Sequence, residues 1–121
     1  MRKITEGQER NLGIKIARRE GLNKTAEVIK NYGCYREIFN TLYNEAGEIK
    51  SLELIRESNE PRWAFKFACV FAYISRETKE ALARVVIKSK NPYLAYCFVY
   101  NVSDISDETK EKLRAIYIQA R

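Results

Sequence analysis

The stretch Ile74–Leu82 reads ISRETKEAL, and Ile105–Leu113 reads ISDETKEKL: seven of nine letters repeat at a spacing of 31. Extending the comparison without gaps sets residues 61–90 on residues 92–121. Identities fall at Pro61/Pro92, Ala64/Ala95, Phe67/Phe98, Ile74/Ile105, Ser75/Ser106, Glu77/Glu108, Thr78/Thr109, Lys79/Lys110, Glu80/Glu111, Leu82/Leu113 and Ile87/Ile118, 11 of 30 positions. Chance would supply only a few, so the chain carries an internal repeat, and a repeat of this period signals a stacked architecture.

Each unit has helical grammar. Asn91-Pro92 is a cap followed by proline at the first helical position, where its missing N–H costs nothing. Pro61 plays the same part behind Glu60, a poorer cap. A first helix is expected from Pro61 to about Tyr73, and its counterpart from Pro92 to about Val102. Ser75 and Ser106 then cap second helices, with Glu77 and Glu108 in first turns where negative charge suits the helix dipole. The second helix ends near Ser89-Lys90-Asn91. The first helix is apolar nearly all round, which predicts burial on most sides. The second carries a narrower stripe (Leu82, Val85, Val86, Ser89) and is expected to lie outside. Ala81 and Ala83 become Lys112 and Arg114 in the later copy, as a terminal unit with an uncovered outer face requires. Arg121 falls at the last position of that unit.

Upstream the repeat decays. Cys34–Ala46 shows a helical stripe at Tyr35, Ile38, Phe39, Leu42 and Tyr43, which Gly47 breaks. Glu48–Glu57 follows with Ile49, Leu52 and Ile55, so residues 34–60 read as a degenerate hairpin. Residues 5–20 predict a helix ended by Gly21, and Asn23 is expected to cap a short helix to Tyr32. The expected fold is all-α: a single domain of residues 1–121 with about seven helices in a short right-handed stack of hairpins. Its parts are residues 1–33, 34–60, 61–91 and 92–121.

Composition narrows the chemistry. The chain has 121 residues, 45% of them hydrophobic and 31% charged, the balance of a folded water-soluble domain. No apolar run is long enough for a bilayer, and the N-terminus lacks the apolar core of a signal peptide, so the expected location is cytoplasmic. The net charge of +6 is uneven. Lys and Arg outnumber Asp and Glu by 8 to 4 over residues 1–30 and by 7 to 2 over residues 61–90. Acids lead by 6 to 3 over residues 31–60, and residues 91–121 balance at 4 to 4. Two positive blocks suit an acidic protein or a nucleic acid.

There is no histidine, which removes the commonest general base and metal ligand. Asp104 and Asp107 share one loop and read as helix-start residues. The five glycines are scattered and form no phosphate loop. Cys34, Cys69 and Cys97 lack metal or disulfide spacing and are expected as small buried hydrophobes. No catalytic residue, cofactor or metal is assigned, and the chain is read as a non-enzyme.

Two surfaces remain. Arg62 and Lys66 are four apart on one helix, and Arg84 and Lys88 on the next, with Lys79 and Arg76 near the same loop side. Tyr93, Tyr96 and Tyr100 recur at spacings of three and four. Core packing explains most of that stripe, and part of it suits the floor of a binding groove. The partner-binding set is therefore Arg62, Lys66, Lys79, Arg84, Lys88, Tyr93 and Tyr96. Separately, Arg18–Tyr43 resembles a helix-turn-helix, with Gly33 at the turn and Phe39 and Leu42 as core. That resemblance implies Tyr35, Arg36 and Asn40 as base readers. Against it, Ile29 stands where alanine is usual, and the segment that follows is acidic.

The Pro-x-x-Ala-x-x-Phe … Ile-Ser-x-Glu-Thr-Lys-Glu-x-Leu unit resembles the α-helical hairpins of HEAT-like repeats, clearly over half the chain. Units rich in Lys, Ile, Asn and Tyr are also similar to small proteins of phages and mobile elements in AT-rich bacteria, including anti-CRISPR inhibitors of host defence. The resemblance implies binding of another protein, by occlusion or scaffolding, and the positive blocks suit a partner with an acidic surface. The alternative is nucleic-acid binding through residues 18–43 or the basic patch of residues 61–90. A homodimer that hides an open end of the stack is compatible with either.

Overall fold

A computed structural model describes residues 5–31, 33–71 and 73–119, and among these the chain is all-α, with seven helices and no strand. The helices are α1 (Glu6–Arg19), α2 (Asn23–Lys30), α3 (Tyr35–Ser58), α4 (Pro61–Val70), α5 (Arg76–Ser89), α6 (Pro92–Asn101) and α7 (Asp107–Gln119). None of them is long and apolar enough to cross a membrane. The chain divides into two compact units, Met1–Ser58 and Asn59–Arg121.

In the first unit α1, α2 and α3 touch one another pairwise. Thr5 caps α1 in a capping box: its hydroxyl accepts the Gln8 N–H while the Gln8 side chain accepts the Thr5 N–H. Asn23 is not the cap expected for α2. It lies inside the helix, and Leu22 at the cap position offers no side-chain acceptor. Glu45 of α3 does the job from a distance, accepting the N–H of Lys24 at 3.1 Å, the N–H of Thr25 at 2.9 Å and the Thr25 hydroxyl at 2.7 Å. Tyr32, the expected end of that helix, lies outside the described residues.

Gly47 interrupts α3 as its sequence implies, with φ 82° and ψ 173°, a conformation only glycine takes readily. The Ser51 hydroxyl reaches to 3.5 Å from the Leu42 carbonyl. Nine residues of straight helix would put those backbones about 13.5 Å apart. The two arms therefore fold against each other, burying Ile38, Phe39, Leu42, Leu54 and Ile55.

Gly33 serves close packing. A Cβ there would sit 2.6 Å from Val28 Cγ1 and 3.1 Å from the Val28 carbonyl oxygen. Val28 is β-branched and yields little. Gly33→Ala is expected to cost about 1–3 kcal/mol, the usual range for overpacking, read as a lowered urea midpoint. An unchanged midpoint would mean that the corner relaxes freely.

The second unit realises the repeat. The first helices begin at Pro61 and Pro92 and end at Val70 and Asn101, and the second begin at Arg76 and Asp107, so every one of these boundaries shifts by 31. Within each copy the two helices pack as a hairpin. Between copies α4 touches α6, and α5 touches α7 and α6. Repeat identities fall in the core: Ala64 and Ala95, Phe67 and Phe98, Ile74 and Ile105, Leu82 and Leu113 are all buried. Ser75 and Ser106 cap the second helices, each hydroxyl accepting an N–H three residues on, from Thr78 at 3.2 Å and Thr109 at 3.1 Å. Asn91 caps α6 through the Leu94 N–H at 3.1 Å. Glu60 makes no such bond.

Three expectations need correcting. α4 stops at Val70, short of Tyr73, because Phe71 leaves helical geometry at the cap. α5 is not an outer helix. Thr78, Lys79, Ala81, Leu82, Ala83, Val85 and Val86 are buried on it, because α4, α6 and α7 cover it from several sides. The cysteines are not all buried: Cys34 and Cys69 are exposed and Cys97 is half-buried.

α7 is less covered than α5. Leu113 is its buried residue, while Lys112 pairs with Glu108 at 3.3 Å and Arg114 with Glu111 at 3.1 Å on its surface. Hydrogen bonds also join the copies: the Glu80 carboxylate accepts the Ser106 N–H at 3.2 Å, the Ser106 hydroxyl at 2.9 Å and the Thr109 hydroxyl at 2.8 Å. An acid of one second helix thus caps the next.

Candidate functional site

α6 is apolar all round, and packing decides which side faces in. Leu94, Ala95 and Phe98 turn to the core. Tyr93, Tyr96 and Tyr100 are left outside at 72%, 48% and 68% exposure, so the tyrosine stripe is surface and not core. Tyr96 is the hub. Its ring lies 4.6 Å from Tyr100 and 5.3 Å, edge to face, from Tyr117 of α7. Such ring pairs hold side chains in place before a partner arrives, which lowers the entropy lost on binding.

Cys97 sits on the same face, four residues beyond Tyr93 and three before Tyr100. A hydrogen bond with Cys97 and the charge of that thiol when ionised push the Tyr93 hydroxyl above its ordinary range, with desolvation adding to the effect. Partial burial pushes the Cys69 thiol up as well. Lys66 opposes that shift and Cys97 adds to it. The Lys66 amine also lies 5.4 Å from the Phe65 ring centroid, in cation–π range.

The residues expected to bind a partner separate into groups. Tyr93 and Tyr96 belong to this exposed face of α6, which Tyr117 of α7 extends, while Lys66 lies half-buried on α4 over Phe65. Arg62 lies on α4, half-buried, with its guanidinium 3.7 Å from Glu60. Arg84 and Lys88 are exposed on α5. Lys79 is 3% exposed and leaves the set: packing around α5 covers its stem, so it offers no open surface. Arg76 faces Asp104 at 3.9 Å. Tyr100, Tyr117 and Cys97 were absent from the expected set.

One sequence signal does locate the face. The identical apolar pairs Ala64/Ala95, Phe67/Phe98, Ile74/Ile105 and Leu82/Leu113 are core. The exposed tyrosines occupy positions where the copies disagree: Tyr93 against Arg62, Tyr96 against Phe65, Tyr100 against Cys69.

The helix-turn-helix candidates also divide. Arg36 and Asn40 are exposed near the start of α3. Tyr35 is turned inward: its hydroxyl donates to Glu9 Oε1 at 2.7 Å and its ring stacks on Phe39 at 5.9 Å. It pins α3 to α1 and is not placed to read bases.

Among the described residues no group of three or more Cys, Asp or Glu side chains is arranged to hold a metal ion. The face offers aromatic surface and hydroxyls, which is recognition chemistry. No family model matches this chain, and no curated protein or solved structure is detectably similar to it.

Proposed function

We propose that this chain is a non-catalytic binding protein that docks an acidic protein partner on the tyrosine face of α6 and α7. The exposed tyrosine cluster carries the reading. Tyr93, Tyr96, Tyr100 and Tyr117 gather on one small helical unit. Tyrosine is enriched at interface centres, because it supplies large contact area and a hydrogen-bonding tip at low entropic cost. The positive balance of residues 61–90, in the same unit, favours a partner with acidic surface. The mode of action is occlusion: a rigid pair of hairpins covers a surface that another molecule needs. The likeness to HEAT-like hairpins and to small phage proteins supports placing it among inhibitors of host defence.

The test is retention of proteins from a bacterial extract by the immobilised chain, compared with a Tyr96→Ala/Tyr100→Ala variant. Hot-spot tyrosines are each worth about 2 kcal/mol, so the double variant is expected to lose at least about 30-fold in affinity for the retained partner. Sedimentation separates out self-association. A concentration-dependent dimer abolished by the same pair would replace the foreign partner with a second copy. Undiminished retention by the variant would remove the face from the interaction.

A further inference from the structure

We infer that the groove between α1 and α2 binds phosphate groups of a nucleic-acid backbone, a site distinct from the tyrosine face. An open depression of about 490 Å³ is lined by Asn11, Ile14, Lys15, Arg18 and Lys30. The four α1 residues fall at i, i+3, i+4 and i+7, one continuous stripe of the helix. Lys30 faces them from the end of α2.

The three cations are exposed, and no acid lies within salt-bridge distance of them among the described residues. Glu27, exposed on α2 one turn before Lys30, is the acid nearest to these cations in sequence and offsets part of their charge, while other acids of this unit are engaged elsewhere. Glu20 holds Lys50 and Arg19, Glu57 holds Arg19, and Glu45 caps α2 at its far end. The C-terminal ends of α1 and α2 would oppose an anion by roughly half a charge each. Their last carbonyls already accept N–H groups, from Glu20, Gly21 and Leu22 at α1 and from Asn31 and Gly33 at α2. Three full cations outweigh that residue of negative potential.

Geometry selects the anion. The depression is open, and its stripe from Asn11 to Arg18 runs about 10 Å along the helix. Charges spread along an open stripe suit successive phosphates of a strand better than one enclosed phosphate. Asn11 adds a neutral donor, and Ile14 an apolar floor for sugar. The surplus of 8 Lys and Arg over 4 Asp and Glu in residues 1–30 would steer such a polyanion to this end of the chain.

The experiment is fluorescence anisotropy of the full chain with a labelled mixed-sequence duplex of about 20 base pairs and a single strand of the same length, from about 25 to 300 mM salt. Inorganic phosphate and pyrophosphate serve as separate competitors. Expected is binding at low salt whose affinity falls with salt. Lys15→Glu/Arg18→Glu/Lys30→Glu should weaken it at least about 30-fold, and Lys15→Gln/Arg18→Gln/Lys30→Gln should flatten the salt slope by about 2 to 3, one unit per lost phosphate contact. Arg56→Gln/Lys110→Gln, which neutralises two cations outside the groove, should leave both nearly unchanged. Circular dichroism of the variants checks the fold. Absence of binding at low salt overturns the inference. So does an equal loss for Arg56→Gln/Lys110→Gln and the three-residue Gln variant, or saturable binding of inorganic phosphate with none of either nucleic acid.

Discussion

Phe98→Ala is expected to destabilise the second unit by about 3–5 kcal/mol, the usual cost of emptying a ring from a packed core. Phe98 is 0% exposed and tilts against Phe65 of α4 at 6.3 Å between centroids. Phe67, its repeat counterpart 31 residues earlier, is also 0% exposed and packs on Phe71 at 4.9 Å. Phe67→Ala should therefore cost about as much. A domain of this size is stable by only about 5–15 kcal/mol, so either change spends a large share of the total. Tyr100→Ala on the same helix as Phe98 should stay within about 0.5 kcal/mol, because its ring is mostly in water. Urea unfolding reads all three. Comparable losses for Phe98→Ala and Tyr100→Ala would show that α6 has been turned the wrong way round.

Glu80→Ala is expected to cost about 2 kcal/mol, and Glu111→Ala less than about 0.5, although the two glutamates occupy the same place in the doubled phrase. Glu80 satisfies three donors at the start of α7. Glu111 holds Arg114 on an exposed surface. Burial acts to raise the Glu80 pKa, but hydrogen bonds from Thr109 and Ser106 and the charge of Arg76 outweigh it, and the net direction is down. A folded pKa below the unfolded one means the stabilisation is complete above the ordinary carboxylate range. It is lost as pH falls through the folded value. The gap between wild type and Glu80→Ala should therefore be full at neutral pH and shrink as the solution is acidified below the ordinary carboxylate range. Glu45 has the same architecture and the same downward shift, with hydrogen bonds from Thr25 and Lys24 overcoming its burial. A gap that widened in acid would contradict the capping role.

These two acids show where reading the letters reaches its limit. Ser75, Ser106, Asn91, Pro61 and Pro92 announce helix starts because a cap acts on its own next turn, three residues away. Asn23 carries the same local signal and fails, since Glu45, 20 residues downstream of Thr25, already occupies the donors. Cap chemistry is legible when the acceptor is a neighbour in sequence. It is not legible when another helix supplies it.

The sequence by itself determined the helical class, the period of 31, the breaks at Gly21 and Gly47, and the core positions of the repeat. Those depend on local backbone preferences and on spacing, which the letters contain. Only the tertiary structure decided which side of each helix is covered. α6 is a cylinder of tyrosine, leucine, phenylalanine and valine, so no polar face marks its outside. α4 and α7 turn it so that Leu94, Ala95 and Phe98 go in and the tyrosines stay out. α5 shows a narrow apolar stripe, yet three neighbouring helices bury half of it, the stem of Lys79 included. The groove of Lys15, Arg18 and Lys30 likewise exists only because α2 brings its last residue to the α1 stripe. Periodicity fixes which residues share a face. Which face meets another helix depends on contacts between residues distant in sequence, and those are set when the helices pack.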